Sequence, residues 1–451
     1  MPVQRSNTSD RVVVTGDGDG VVGHAGTRLL ADLADVVGLT AALGQRPSSL
    51  RQRRSRHHPG RVLRDVAVML ADGGECLSDL AVLRDQPELF GDVASHATAW
   101  RTLDAVASDD FGVDGIRSAR KDARAVVWRR GGIPLVDGMV IVDIDATHVT
   151  AHSDKESAAG TYKGGFGFYP LLSYVDHGDG TGEPLAGVLR PGNSGSNTVI
   201  DHHDVLTLAL DQLPVEPTRV PVLVRTDSAG ASHGFVDALR DEHVMFSIGM
   251  PVDQHIRAAV LALPATAWVH ARRQGGDVRD GAEVAELHNL DLAGWPPGSR
   301  AIARREPLHP GAQASFLDAD GHRIQVFITD QPDADIAELE RRHRAHARVE
   351  DRIRDGKETG LRNLPHHDFK LNEVWLELSL VGADLLAWTQ RLAVDGDLAV
   401  AQPKTLRYRL LHVAARVARR SRQRVIRLQR SWPWTRQLLD AFTRVRALAA
   451  A

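Results

Sequence analysis

The chain has 451 residues, more than one ordinary domain needs, and its hydrophobic fraction of 43% is typical of globular rather than disordered proteins. Its one cysteine, Cys76, excludes an internal disulfide, and no segment has the apolar length of a signal peptide or a membrane span. We therefore expect a cytoplasmic protein. The net charge of -3 does not exclude a nucleic-acid partner, because a sum can hide separated patches of opposite charge.

Residues 1–130 are predicted to form a helical region. Apolar residues recur at helical spacing from Thr27 to Leu43 and from Val62 to Leu70. A basic stretch without acidic residues lies between these two segments and contains Arg51, Arg53, Arg54 and Arg56. Such a stretch is typical either of a loop that lies along a phosphate backbone or of a solvated loop, and its composition alone leaves both open.

A new domain is predicted over residues 131–250, because short β-branched runs replace the helical pattern there. The run 139–145 predicts a buried strand that ends at Asp145, and the run 221–227 predicts another that ends at Asp227. Further strands and helices are predicted between and after these two runs, at 171–175, 185–189, 204–213 and 232–242. Alternating strands and helices predict an α/β domain.

The last two fifths of the chain change character twice. Residues 251–330 contain Trp, Pro and Gly among short strand-like runs, which predicts a β-rich insertion, and residues 331–400 return to helices that include Glu350. In the tail, residues 401–451, thirteen Lys or Arg face one acid, Asp440. Apolar residues at helical spacing predict a basic amphipathic helix or helix pair, for which DNA and an anionic membrane are both possible partners.

Asp145, Asp227 and Glu350 are the candidate chemical residues. Two acids at the ends of neighbouring strands, with a third on a helix that packs across the sheet, would converge at one edge. Hard divalent cations take oxygen ligands, and two such ions about 3.5–4 Å apart can serve both the nucleophile and the leaving oxygen of a phosphodiester. Position alone does not select this triple among 58 acidic residues, so the local motifs decide.

The motifs around all three acids resemble those of the DDE transposases of bacterial insertion sequences, from about Gly73 to Trp388. The run Asp143-Ile144-Asp145-Ala146-Thr147 is similar to the family's strand-borne Asp followed two residues later by Thr, which selects Asp145 over Asp143. The run Arg225-Thr226-Asp227-Ser228-Ala229-Gly230 is similar to the family's second strand, which ends in Asp before small residues.

The third motif resembles the family's signature of Tyr, Arg, Glu and Lys separated by two, three and six residues. Its positions here hold His343, His346, Glu350 and Lys357. Because imidazole is shorter than either replaced side chain and mostly neutral at pH 7, we expect phosphate binding to shift toward neighbouring arginines. These arginines are Arg344, Arg348 and Arg352. A zinc site formed by His343, His346 and Glu350 on one helical face is the alternative interpretation.

The resemblance implies an α/β fold with a ribonuclease H-like core, a helical N-terminal DNA-binding region, a β-rich insertion before the catalytic Glu and a basic helical C-terminus. It implies that Asp145, Asp227 and Glu350 are the catalytic residues and hold two Mg²⁺ ions, for which Mn²⁺ can substitute. The DNA-binding residues expected with them are His343, His346, Arg348, Lys357, Arg51, Arg53, Arg54 and Arg56.

The implied activity is that of a transposase, which binds the terminal inverted repeats of an insertion sequence, cleaves the DNA and joins the freed 3′-hydroxyl to target DNA. The expected partner is double-stranded DNA, bound by a homodimer, with no membrane partner. Two other hypotheses remain open from the sequence. One is a catalytically inactive, transposase-derived DNA-binding protein, and the other is a metal-dependent nuclease without strand transfer.

Overall fold

A computed structural model describes residues 14–45, 56–162, 164–195, 198–308, 311, 318, 321–421 and 423–450. Its N-terminal third is helical, as predicted. The helices there are α1 (Arg28–Val36), α2 (Leu39–Gln45), α3 (Pro59–Ala71), α4 (Ala81–Arg84), α5 (Pro87–Phe90), α6 (His96–Ala107) and α7 (Gly112–Gly131). Pro59 occupies the first position of α3, where its missing N–H costs nothing, and the Ser95 hydroxyl caps α6 by accepting from the Thr98 amide.

The apolar periodicity from Thr27 to Leu43 is carried by two helices rather than one. Helices α1 and α2 are separated at Gly38, whose φ of 81° lies in the left-handed region that glycine adopts without a Cβ clash. Leu29, Leu30 and Leu33 are fully buried on one face of α1, and α2 packs against α3. Because the chain turns at Gly38, α1 and α2 can each bury an apolar face.

A mixed β-sheet occupies the centre of the molecule. The strands up to residue 250 are β1 (Val21–Val22), β2 (Val140–Ala146), β3 (Val149–Thr150), β4 (Ala159–Gly160), β5 (Phe166–Phe168), β6 (Leu171–Asp176), β7 (Gly182–Val188), β8 (Val222–Thr226) and β9 (Met245–Met250). The core order is β7-β6-β2-β8-β9, in which β7, β6 and β2 are antiparallel and β2, β8 and β9 are parallel. Helices α8 (Val199–Gln212) and α9 (His233–Asp241) make the parallel crossovers. This arrangement confirms the predicted ribonuclease H-like core.

The β-rich character predicted for residues 251–330 is confirmed, and the insertion extends the central sheet. It contains α10 (Gln254–Leu261), β10 (Val269–Arg272), β11 (Val278–Glu286), β12 (Arg300–Pro307) and β13 (His322–Thr329). Strand β13 pairs antiparallel with β9, with Ile328 opposite Ile248, so that one sheet of nine strands runs from β10 to β7. The insertion therefore forms a wall along one side of the core.

The chain after the insertion returns to helices. These are α11 (Ile336–Arg344), α12 (Val349–Gly356), α13 (Phe369–Ala393), α14 (Pro403–Leu406) and α15 (Thr435–Ala450). Helix α13 packs against β7, α3 and α7, and its Trp375 and Trp388 are fully buried. No helix in the described ranges has both the length and the apolar character needed to cross a membrane.

The prediction of a helix or helix pair throughout the basic tail is wrong for residues 415–420 and 423–428. These residues form an antiparallel hairpin, β14 (Ala415–Arg420) and β15 (Gln423–Leu428), and β1 pairs with β14. The tail is helical around the buried Leu406, Leu410 and Leu411 and again in α15, where Leu438 and Val445 are buried. Between these helical parts the apolar residues alternate with arginine, and β1 offers a strand edge, so the extended conformation buries Ala415 and Val417 on one face.

Candidate active site

Asp145 and Asp227 lie side by side at the carboxyl ends of two parallel strands. Ile144 of β2 pairs with Thr226 of β8, and each aspartate is the next residue along its strand. Residues Val140 to Ile144 are buried, whereas Asp145 is only partly buried and Asp227 is exposed. The apolar residues that fix these strands in the core therefore deliver both carboxylates to the same edge of the sheet.

Glu350 approaches the same edge from above the sheet. It lies in the first turn of α12, a helix that packs against β2. Val349 and Ile353 anchor that helix in the core, while Glu350 itself is exposed. Because neighbouring positions on a helix point in different directions, the burial of Val349 and Ile353 turns the Glu350 side chain toward the open edge.

All three acids line one cavity of about 1100 Å³ between the core and the insertion. Strand β13 and helix α11 form one wall, with Phe327 and His343 among the lining residues. Five Arg or Lys side chains also line it: Arg304, Arg323, Arg344, Arg354 and Lys357. The cavity thus combines a carboxylate group at its floor with cations around it, which suits a polyanionic ligand.

The three carboxylates form no ion pair with any residue of the described ranges. Asp145 Oδ1 accepts a hydrogen bond from the Ala146 amide at 2.7 Å, and Asp227 Oδ1 accepts one from the Ala229 amide at 2.9 Å. Burial is the main cause that raises the pKa of Asp145 to about 6; the charges of Asp227 and Glu350 act in the same direction, and His346 and the Ala146 amide oppose them. A carboxylate whose proton affinity is raised by two neighbouring acids, with no protein cation paired to it, is typical of a cation site.

The donor set fits divalent metal ions of the Mg²⁺ type. Asp145, Asp227 and Glu350 offer carboxylate oxygens, the ligands that hard cations prefer. Their oxygens do not all lie within 4.8 Å of one another, a condition that His24, Asp72 and His412 meet elsewhere in the described ranges.

A buried ionic cluster lies directly behind the three carboxylates. Asp143 and Arg225, which pair in register on β2 and β8, are each two residues before Asp145 and Asp227. The Arg225 guanidinium donates two hydrogen bonds of 2.7 Å to the Asp143 carboxylate. Arg352 bridges Asp143 and Asp176, with both distances 2.6 Å. Burial alone would raise the pKa of Asp143, but Arg225 and His346 outweigh it and hold that pKa well below its usual range.

The two histidines of the third motif both line the cavity. His343 stacks on Phe327, with ring centroids 4.2 Å apart, and its Nδ1 lies 2.9 Å from Ser247 Oγ. Burial lowers the pKa of His343 to about 3, so this ring is neutral at pH 7. His346 is buried, with Nδ1 2.9 Å from Asp143 Oδ1. Contact of either ring with DNA stays a prediction.

The other predicted DNA-binding residues have different environments. Lys357 lines the cavity, and burial lowers the pKa of its amine. Arg348 lies beside the cavity and donates to the Gly178 carbonyl at 3.3 Å. Arg56 is exposed and pairs with Asp92 at 2.8 Å. Arg51, Arg53 and Arg54 lie outside the described residues.

The sequence patterns did not predict that Arg225 and Asp176 belong to a buried network. They indicated Arg352 only as a possible phosphate ligand. Arg352 is buried against Asp143 and Asp176, so it is not a phosphate ligand in this arrangement. The signal was present in the run Val222-Leu223-Val224-Arg225-Thr226, where a charge stands inside an otherwise apolar strand. Such a charge needs a buried partner, and Asp143 stands at the matching place in β2.

Comparison with known proteins finds a matching family model and similar solved structures. A family model described as "Transposase DDE domain group 1" matches residues 4–450. A solved structure, the cryo-EM structure of a piggyBac transposase synaptic complex with hairpin DNA, is similar with a TM-score of 0.42 and 8% sequence identity, over 86% of this chain and 79% of that chain. No curated protein matches the chain.

Proposed function

The chain belongs to the DDE transposases, and from this premise we propose that it binds the terminal inverted repeats of an insertion sequence, cleaves the DNA and joins the 3′-hydroxyl to target DNA. The observation that carries this proposal is the convergence of Asp145, Asp227 and Glu350 on one cavity. The cavity is open to solvent at two of the three acids, as a macromolecular substrate requires. The proposed substrate implies that the protein works in the bacterial cytoplasm, at the nucleoid.

In this proposal Asp145, Asp227 and Glu350 would hold two Mg²⁺ ions, with Mn²⁺ as a substitute. When bound, such ions neutralise phosphate charge and acidify an attacking water or hydroxyl. The protein's own part is to fix the carboxylates, which it does through the paired ends of β2 and β8 and the anchored helix α12. Rigid placement of charged groups before reaction is what makes them effective in the transition state.

Lys357 and Arg344 would hold the DNA phosphates around the cleaved bond. Both line the cavity within one or two helical turns of Glu350 along the chain. Arg344 is held by Glu340, with Nε 2.8 Å from Oε1, which orients its guanidinium. An oriented guanidinium binds phosphate at a lower entropic cost than a free side chain.

The outward face of the C-terminal hairpin would provide a second DNA surface. This basic face consists of Arg416, Arg420, Gln423 and Arg427, around the smaller Ala418 and Val425. The four long polar side chains are exposed, and none of the three arginines forms an ion pair within the described ranges. Arginine without nearby acid, on a two-stranded ribbon that fits the major groove, favours DNA over an anionic membrane.

The pairing of the hairpin supports an anionic ligand for the basic face. Arg416 stands directly opposite Arg427, and Arg419 directly opposite Arg424. Like charges in directly opposed positions destabilise a hairpin. Glu88 neutralises the second pair, at 2.5 Å from Arg419 and 3.3 Å from Arg424. The first pair has no such acid among the described residues, so a DNA phosphate would be its counter-charge.

The main test replaces each carboxylate by its amide: Asp145→Asn, Asp227→Asn and Glu350→Gln. Each variant should lose Mg²⁺-dependent cleavage by about a hundredfold or more, because an amide is a poor ligand for hard cations, and should still bind DNA. The assay measures cleavage and strand transfer on a DNA that carries the ends of the element. Asp351→Asn is the matched control, since Asp351 is exposed beside Glu350 but pairs with Arg354 instead.

Three results would contradict the proposal in different ways. Full cleavage by any one amide variant would remove that residue from the site. Cleaved ends without joined product in the unaltered protein would favour a nuclease. DNA binding without Mg²⁺-dependent cleavage in the unaltered protein would favour an inactive, transposase-derived DNA-binding protein.

The basic face is tested by the salt dependence of DNA binding. The double variant Arg416→Ala/Arg427→Ala should weaken binding to all duplex sequences and reduce the slope of log K against log salt by roughly 2, about 0.9 for each lost phosphate contact. The control is Arg219→Ala/Arg273→Ala, two exposed arginines that pair with Glu216 and Asp280. An unchanged slope in the Arg416/Arg427 variant would assign the face to another role.

We also propose that a homodimer acts on the DNA, because transposition joins two ends and each chain offers one carboxylate cavity in its described ranges. Sedimentation of the protein with DNA ends should give two chains for each pair of ends. One chain on paired ends would contradict the dimer without affecting the assignment of the cavity.

A further inference from the structure

Three side chains from distant parts of the sequence meet at the junction of the N- and C-terminal segments. His24 precedes α1, Asp72 follows α3, and His412 precedes β14. His24 Nδ1 lies 2.7 Å from Asp72 Oδ2, and His412 Nε2 lies 3.1 Å from Asp72 Oδ1. The three ligand atoms all lie within 4.8 Å of one another. This trio has no part in the carboxylate cavity, whose lining does not include it.

We propose that His24, Asp72 and His412 form a binding site for a transition-metal ion of the Zn²⁺ type. Two imidazole nitrogens and one carboxylate oxygen are ligands that Zn²⁺ accepts, whereas Mg²⁺ and Ca²⁺ favour sites made of oxygen alone. The Asp72 side chain is 5% exposed, but those of His24 and His412 are 31% and 35% exposed. A fourth position is therefore open to water.

The surrounding backbone holds the three ligands in place. The Ala25 amide donates to the Val413 carbonyl at 3.0 Å, which ties the residue after His24 to the residue after His412. Gly26 approaches so closely that a Cβ there would lie 1.7 Å from the Leu410 carbonyl oxygen. Thr27 Oγ1 donates to Asp72 Oδ1 at 2.5 Å and orients the carboxylate. A metal site requires this kind of outer support for its ligands.

The position of His24 gives a second reason to expect a ligand role. Its φ of 49° lies in the left-handed region, which residues other than glycine adopt rarely and in which histidine, asparagine and aspartate are enriched. This backbone conformation brings the His24 ring to 4.1 Å from the His412 ring, measured between centroids. One ion can use two imidazoles at this separation as neutral ligands beside the Asp72 carboxylate.

The expected consequence is that the ion fastens both ends of the chain to the core. His24 belongs to the segment that pairs with the hairpin through β1, and His412 leads directly into β14. Asp72 directly follows α3, which packs against α13. Binding should therefore raise the stability of the whole protein by mass action.

The test uses the full chain with Zn²⁺ as the probe, in the background Asp227→Asn/Glu350→Gln so that the carboxylate cavity does not contribute. Calorimetric titration should show one Zn²⁺ ion per chain, and the melting temperature should rise with Zn²⁺. His24→Asn and His412→Gln should each weaken this binding by about a hundredfold and abolish the melting shift. Asparagine tolerates the left-handed backbone at residue 24, so this variant removes the ligand without added strain.

The matched control is His203→Gln, an exposed histidine on α8, which should bind Zn²⁺ like the parent protein. Binding of Co²⁺ should give a visible absorption band that the His24 and His412 variants lack. The proposal is overturned if the parent binds no Zn²⁺, or if both variants bind it as tightly as the control does. In either case the trio would be a hydrogen-bonded clamp, whose loss lowers the melting temperature equally with and without Zn²⁺.

Discussion

Asp143 and Asp145 point to the same side of one strand, two residues apart, yet their surroundings are opposite. Asp143 is fully buried and receives hydrogen bonds from Arg225 and Arg352, with His346 also in contact. Asp145 is partly buried, has no ion pair within the described ranges and lies beside two further acids. The first environment neutralises its carboxylate and the second leaves a negative charge to be neutralised by a ligand.

Strand β2 therefore carries one carboxylate that stabilises the fold and one that is available to a ligand. The compensated cluster around Asp143 fixes β2 against β8 and the segment from Arg342 to Arg352, because Arg225 also donates to the Arg342 carbonyl at 2.7 Å. The same elements carry Asp145, Asp227 and Glu350. The buried pairs therefore set the positions of the uncompensated acids, and substitutions at 143 and 145 should have opposite effects on stability.

The largest effect is expected for Asp143→Asn. Removing this charge leaves Arg225 and Arg352 buried with only Asp176 to share, which should lower the free energy of unfolding by about 3–5 kcal/mol. Denaturant unfolding at neutral pH measures the change. The pKa of Asp143 is depressed in the fold, so its contribution is present above the unfolded pKa near 4 and is lost only as the pH falls below that value. A loss under 1 kcal/mol would contradict the structural role of the cluster.

Asp145→Asn should act in the opposite direction. The folded pKa of about 6 lies above the ordinary value of 3.8, so ionised Asp145 destabilises the fold, progressively from pH 4 to above pH 6. In EDTA at pH 7.5 the variant should gain about 1–2 kcal/mol in unfolding free energy, a value reduced for the partial exposure of the side chain. At pH 3.5 the ionisation of Asp145 should no longer contribute to a difference in unfolding free energy between the variant and the parent. A lower unfolding free energy of the variant at pH 7.5 would mean that Asp145, like Asp143, stabilises the fold.

The sequence predicted the placement of the three acids at this edge better than it predicted the buried residues that support them. Strand ends marked Asp145 and Asp227, and the third motif marked Glu350, because a short local pattern determines where a strand stops. The buried cluster was missed because it joins residues up to 209 positions apart, through pairings that only the sheet register reveals. Residues 415–420 and 423–428 were misassigned for a related reason, since apolar and basic residues there fit either period until β1 supplies an edge.

The smallest of these effects is expected for His346→Ala, since His346 touches both environments. Its Nδ1 contacts Asp143, while its ring lines the cavity beside Asp145. Asp143 keeps both guanidinium partners in this variant, so the loss should be about 0.5–1.5 kcal/mol in unfolding free energy, clearly less than for Asp143→Asn. Denaturant unfolding of both variants under the same condition measures the two losses in unfolding free energy. A loss as large as that of Asp143→Asn would mean that His346 carries the cluster, and the division between a structural layer and a chemical layer on β2 would no longer hold.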